Sequence, residues 1–318
     1  MDIGISIPPR GPLSSAGSIR ALAQNAERLG FNHLAVPDHI VVPRRIESTY
    51  PYNETGDWPG ASDGDSLEQL TLLAWLAAIT SDVKLVTSVA VVPHRGAMHT
   101  AKIAATIDAL SGGRMVFGAG AGWMEEEFAA IGTPPFAARG KVTDEYLQAM
   151  RILWTEDNPS FHGEFVNFDN VIFLPRSTSQ PQLPIWIGGE SKAAMRRTVR
   201  YGDAWYPIGI NPRHMLDTRE RITDGVARLR QMAEQYDRDP ASVGLTYCVT
   251  SFDESQTVTA DTGGRRIMTG SASDLVEDVQ WLQAQGFTDL ILNFARASLE
   301  QSVASMEWFV SDVRKHCS

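Results

Sequence analysis

The sequence predicts an α/β fold, a (β/α)8 TIM barrel with loop insertions, on three observations. Eight short apolar runs alternate with amphipathic helical windows from one end to the other. The runs are apolar throughout rather than alternating, as strands are when both faces of a parallel sheet are covered. No Pro/Gly-rich linker or shift in composition divides the 318 residues. That length is one α/β barrel can use as a unit, so a single domain over 1–318 is expected. The competing arrangement is a doubly wound open sheet, which shares the strand–helix alternation and the right-handed crossovers.

The elements follow in order. Ile3–Ile7 is the first strand, and its helix carries Ile19, Leu22, Ala23, Ala26 and Leu29 on one face until Gly30 ends it. His33–Pro37 is the second, followed by an irregular segment and a helix with Leu67, Leu70, Leu73 and Ala77. Lys84–Val92 is the third and most continuous; its helix places Ile103, Ala104, Ile107 and Leu110 inward and stops at Ser111-Gly112-Gly113. Met115–Ala119 is the fourth, with a short helix around Glu125–Ile131 and a longer one through Val142, Tyr146, Met150 and Leu153. Phe161–Leu174 reads as an aromatic hairpin turning near Asp169-Asn170, outside the barrel. Ile185–Ile187, Ala204–Tyr206, Val243–Val249 and Asp289–Phe294 complete the eight, with helices from Ser191, through Ile222–Met232, over Leu275–Gln285, and through Val303–Val313. Insertions are expected at about 40–66, 155–183 and 251–266.

Composition narrows the partners. Hydrophobic residues at 43% and charged residues at 21% suit a globular chain with a sizeable core. A formal net charge of −10 repels phosphate backbones, so a small molecule rather than nucleic acid is the expected partner. No run approaches the roughly 20 apolar residues of a membrane span. Cys248 and Cys317 lack the spacing of a disulfide framework, and the first residues read as a strand rather than a leader. Free thiols and a cytoplasmic protein are therefore expected.

Barrel chemistry gathers at the C-terminal ends of the strands. After the second strand stand Asp38 and His39: an imidazole can exchange a proton near neutral pH, and an adjacent carboxylate can set its tautomer. A turn cap beside a satisfied polar residue reads the same letters. After the third come the small residues of Ser88-Val89-Ala90, then His94 and Arg95. After the fourth, Gly118-Ala119-Gly120-Ala121-Gly122-Trp123 fails the G-x-G-x-x-G spacing of a dinucleotide site, yet allows a flat ring to approach the backbone with Trp123 free to stack. After the fifth, Gly188-Gly189-Glu190-Ser191 opens a helix, a place suited to a phosphate provided Glu190 points away. Loop 40–66 carries Tyr50, Tyr52 and Trp58 and is a candidate lid, as is 253–266. There is no P-loop, G-x-S-x-G, H-E-x-x-H or C-x-x-C, so neither a metal site nor a nucleophilic triad is expected.

These stretches, with Leu110-Ser111-Gly112-Gly113-Arg114, Glu125-Glu126-Glu127-Phe128, Arg139, Asp144-Glu145-Tyr146, Pro184-Ile185-Trp186-Ile187-Gly188-Gly189 and Gly202-Asp203-Ala204-Trp205, stand in one order over most of the chain. Together they resemble the bacterial luciferase-like monooxygenase superfamily, in its branch of coenzyme F420-dependent oxidoreductases. The resemblance implies a homodimeric barrel using F420 or, alternatively, FMN. Asp38 and His39 would be catalytic beside the ring. A bulge or non-proline cis peptide would back the ring near Ser88, Val89 and Ala90. Gly120, Ala121 and Gly122, with Gly188, Gly189, Glu190 and Ser191, would lie by the cofactor, and Trp58, His94 and Trp123 by the substrate. One departure stands out: sugar-phosphate dehydrogenases of the superfamily place a catalytic glutamate where this chain has Ala121, and Glu125 to Glu127 read as a solvated helix start. Hydride transfer with F420, oxygen chemistry with FMN, and a non-catalytic flavin-binding barrel are the three readings left.

Overall fold

The computed structural model describes residues 1–60, 64–179, 182–250, 252 and 254–317. Its strands are β1 (Asp2–Ser6), β2 (His33–Val36), β3 (Lys84–Thr87), β4 (Ala90–Val91), β5 (Met115–Gly120), β6 (Phe161–His162), β7 (Asn167–Phe168), β8 (Ile185–Gly188), β9 (Ala204–Tyr206), β10 (Gly244–Val249) and β11 (Phe287–Leu292). The helices are α1 (Ala16–Arg28), α2 (Gln69–Ile79), α3 (Ala97–Ser111), α4 (Glu125–Ile131), α5 (Arg139–Thr155), α6 (Lys192–Tyr201), α7 (Arg219–Gln235), α8 (Ala272–Ala284) and α9 (Leu299–Trp308). All pairings in the main sheet are parallel. They run β3-β2-β1-β11-β10-β9-β8-β5, and β3 and its continuation β4 both pair with β5, which closes an eight-stranded barrel. Closure rules out the open-sheet alternative.

Each strand is apolar on both faces because two cores need it. Ala35, Val86, Val116, Trp186, Ala204, Tyr206, Cys248 and Ile291 form one buried cluster across the barrel strands, with Trp186 and Tyr206 edge to face. The larger core holds the alternate residues, such as Leu34, Leu85, Phe117, Ile187, Leu245 and Leu290, against the helices. Burial of this surface, at roughly 25 cal/mol per Å² of apolar area, drives the assembly.

Five expectations need correction. Leu67 lies before α2, whose N-cap is Glu68, and is 39% exposed. Leu110 is 78% exposed because Asp108 takes the inward place in the last turn of α3, accepting bonds from Met115, Thr178 and Ser179. The excursion is a two-stranded antiparallel hairpin, but it turns over Gly163–Val166 rather than at Asp169-Asn170. The cause is Glu145 beneath it, which accepts the N–H groups of Glu164, Phe165 and Val166. The eighth strand starts at Phe287 rather than Asp289. Segment 254–266 does not line the barrel-mouth cavity: Arg265 clasps Asp278 of α8 at 2.6 Å and Arg266 reaches Asp217. Asp253 lies outside the described residues. Cys248 and Cys317 are free thiols, and among the described residues no helix is long and apolar enough to cross a membrane.

Candidate active site at the barrel mouth

A cavity of about 1160 Å³ opens at the C-terminal ends of the strands. Its floor is Val89. β3 breaks after Thr87, a non-proline cis peptide joins Ser88 to Val89, and β4 resumes at Ala90, the break expected at Ser88-Val89-Ala90. The Val89 side chain lies against Gly120 and Gly188: a Cβ on Gly120 would come within 2.6 Å of Val89 Cγ2, and one on Gly188 within 2.9 Å of Val89 Cγ1. A Cβ on Gly118 would lie 1.9 Å from the Thr87 carbonyl oxygen. The glycine run is thus explained first by packing of the broken third strand, rather than by approach of a ring. Beneath Val89, Ser88 Oγ and Tyr206 Oη are 2.8 Å apart. Burial raises the Tyr206 phenol well above its ordinary range, so both groups stay neutral.

Ser88, Val89, Gly120, Ala121, Gly122, Gly188, Gly189, Glu190 and Ser191 all line the cavity, as do Asp38, His39, Trp58 and Trp123. Ala90 does not; it is buried in its pairing with Ala119. His94 does not either: it is buried behind the cavity wall, edge-on to Phe128 at 4.8 Å. Burial lowers the His94 imidazole pKa against the pull of Glu127 and Asp38, which keeps the ring neutral.

The Asp38–His39 pair separates into two functions. Asp38 does not touch His39. It accepts both ends of the Arg95 guanidinium at 2.8 and 2.9 Å and the Val91 N–H at 2.9 Å, tying β2 to β4. Arg95 also holds Glu68 at 2.6 Å. The partner of His39 is Glu127, whose Oε2 lies 2.8 Å from Nδ1. Glu127 is not solvated but 1% exposed, and its Oε1 accepts the N–H groups of Ile40 and Val41 at 2.7 and 3.2 Å. Burial alone would raise this carboxyl; the hydrogen bonds from His39 and the Ile40 N–H hold it below the usual carboxylate range. Glu126 likewise accepts the N–H groups of Glu47 and Ser48. The acidic start of α4 therefore anchors the loop after β2. A signal was present: three carboxylates opening a seven-residue helix are more than a dipole requires.

That loop supplies an aromatic wall. Trp58 lies 4.4 Å from the His39 ring, Trp123 6.0 Å from Trp58, and Tyr50 5.2 Å from Trp123, mostly edge to face. Arg10 sits 4.4 Å over Trp58. Tyr50, Tyr52 and Trp58 all line the cavity, and residues 61–63 of the loop lie outside the described set.

At the opposite rim, α6 begins with Ser191 as its N-cap, accepting the Ala194 N–H. Gly189 has φ +102° and turns the chain into the helix. Arg139 and Arg197 line this rim; Arg197 pairs with Asp144, whereas Arg139 bonds carbonyl oxygens of Gly122 and Phe136. Glu190 does not point away from the cavity: it lines it, 4% exposed, held by the Ile208 N–H and Asn211. Burial, against those bonds, raises its carboxyl pKa, which weakens its opposition to an anion beside it.

Comparison with known proteins agrees with this architecture. An uncharacterized protein of Mycobacterium tuberculosis is 30% identical over 300 residues, covering 92% of this chain and 93% of its own length. The FMNH2-dependent dimethylsulfone monooxygenase of Pseudomonas putida is 32% identical over 189 residues, 59% of this chain and 47% of that protein. The structure of an F420-dependent secondary alcohol dehydrogenase superposes with a TM-score of 0.75 at 16% identity, covering 100% of this chain and 99% of that one, a likeness of fold. The sequence model of the luciferase-like monooxygenases matches residues 1–305, and the chain belongs to that family.

Proposed function

We propose that this chain moves a hydride between the deazaflavin coenzyme F420 and a small organic substrate at the barrel mouth. The observation that carries the reading is an imidazole at the cavity edge, His39, held by a buried carboxylate and facing a volume above the roughly 300–1,000 Å³ of a single-ligand pocket. Such a volume suits a ring cofactor together with a substrate. When bound, the deazaflavin supplies or accepts the hydride. Ser88, Val89, Gly120, Ala121 and Gly122 would hold the ring side, with Gly188, Gly189, Glu190, Ser191 and Arg139 toward an anionic tail. Trp58 and Trp123 would wall the substrate and exclude water. His39 is the catalytic residue: it takes a proton from a substrate hydroxyl as the carbon–oxygen bond becomes a carbonyl, or returns it in reverse. Asp38 is a positioning residue through Arg95 and β4. A homodimer, a cytoplasmic location and one domain over 1–318 are parts of the same proposal.

A second reading has its own support. The Pseudomonas putida relative, an FMNH2-dependent monooxygenase, is 32% identical over 189 residues, 47% of its own length. Reduced FMN in the same cavity would make the chain a monooxygenase. Titration of the purified protein with F420 and with FMN separates the two. Micromolar binding of F420 and turnover with alcohols or carbonyl compounds supports the first reading. FMN binding with none for F420 overturns it in favour of the second. Binding without turnover of either supports a non-catalytic flavin-binding barrel.

A further inference from the structure

We propose that Glu127 is the positioning carboxylate of His39: it fixes the hydrogen on Nδ1, keeps Nε2 as the proton acceptor at the cavity, and pairs the imidazolium formed when Nε2 takes a proton. The inference rests on the reading of His39 as the proton-handling group. The carboxylate that meets the imidazole comes from the first turn of α4, 88 residues along the chain.

The geometry argues this directly. Glu127 is buried and ionised, and an ionised carboxylate only accepts hydrogen bonds. Its Oε1 is engaged by the Ile40 and Val41 N–H groups, so Oε2 is the atom that meets His39 Nδ1 at 2.8 Å, and Nδ1 must carry the hydrogen. A neutral imidazole with its hydrogen on Nδ1 has its lone pair on Nε2, the nitrogen left on the cavity side. The other charges around the pair do not compete. Asp38 is matched by Arg95, which also holds Glu68. His94, 3.9 Å from Glu127 Oε1, is kept neutral by burial. Arg10 lies over Trp58, which stands between it and the imidazole. Glu126 is turned to the N–H groups of Glu47 and Ser48. When a substrate hydroxyl gives its proton to Nε2, the positive charge on the ring faces a carboxylate already in place and needs no rearrangement.

Glu127→Gln tests this with a sharp outcome. The Gln oxygen stays on the two backbone N–H groups, so its NH2 faces Nδ1, which must now accept; the hydrogen moves to Nε2. The protein without cofactor, labelled with nitrogen-15 histidine, reports which ring nitrogen carries hydrogen, and His39→Asn identifies the signal among the seven histidines. Wild type should show the hydrogen on Nδ1. E127Q should show it on Nε2. Glu126→Ala, which removes the acceptor of the Glu47 and Ser48 N–H groups and so unties the same loop without touching His39, should leave the hydrogen on Nδ1 as in wild type. Wild type with its hydrogen on Nε2, or E127Q with the tautomer unchanged, overturns the proposal. If E127Q does not fold, Glu127→Asp decides beside the wild type: it keeps the charge and must keep the hydrogen on Nδ1. If the tautomers come out as stated but H39N turns over at the wild-type rate, the proton-handling reading falls and the positioning role of Glu127 stands.

Discussion

Replacing Arg95 with methionine isolates what Asp38 does. The Asp38 side chain is fully buried and Arg95 is 13% exposed, so this is an interior ion pair rather than a surface one. Methionine fills similar volume but removes two of the three hydrogen bonds Asp38 accepts, leaving the Val91 N–H alone against an uncompensated buried charge. Breaking one side of such a pair costs about 3–5 kcal/mol. The Arg95–Glu68 contact adds little, since Glu68 is 38% exposed and screened, a pair worth about 0–1 kcal/mol. For a chain of this length the loss corresponds to roughly 5–10 °C in Tm. Urea unfolding followed by tryptophan fluorescence measures it. The decisive comparison is the double variant R95M with Asp38→Asn, in which a neutral amide still accepts the Val91 N–H and most of the loss is recovered. A loss below about 1 kcal/mol in R95M, or a double variant no more stable than R95M, would refute the assignment of Asp38 to structure.

Two further outcomes follow from the floor of the cavity. Gly118→Ala puts a methyl group 1.9 Å from the Thr87 carbonyl, a backbone atom held in the sheet, so the variant should lose about 3 kcal/mol or fail to accumulate, read by soluble yield and urea midpoint. Gly188→Ala meets only the Val89 side chain at 2.9 Å; it should fold but push Val89 into the cavity and weaken cofactor binding, measured by titration, and an unchanged Kd would separate Val89 from the cofactor. Burial pushes the Cys248 thiol up to about 11, so at pH 8 only about one molecule in a thousand carries the thiolate and iodoacetamide should label it slowly until the chain unfolds. Because the folded value lies above the unfolded one of about 8.5, the favourable term is complete below that value and is lost as pH rises toward 11; a Cys248→Ala protein should lack that part of the alkaline decline.

Much of this protein is legible in its residues. Eight apolar runs between amphipathic windows determine a parallel sheet covered by helices on both faces; that the sheet closes into a barrel rather than staying open is decided by the pairing of β3 and β4 with β5. The position of His39 after the second strand, and of the small residues where the third strand breaks, follows from the rule that strand ends carry barrel chemistry. What tertiary structure alone decided is which charges meet. Asp38 is the neighbour of His39 in sequence, yet successive residues on an extended chain point to opposite sides, so it turns to Arg95 on the third-strand loop. The carboxylate that reaches the imidazole comes from Glu127, 88 residues away, because α4 is laid across the loop after β2. The same holds for the glycines. Their spacing suggests room for a ligand, but only the fold shows that Val89, 31 residues before Gly120, takes up that room. Hydrophobic pattern is local and survives in one dimension; the pairing of buried charges and the filling of space next to a glycine are set by contacts between distant segments, and those exist only once the barrel has closed.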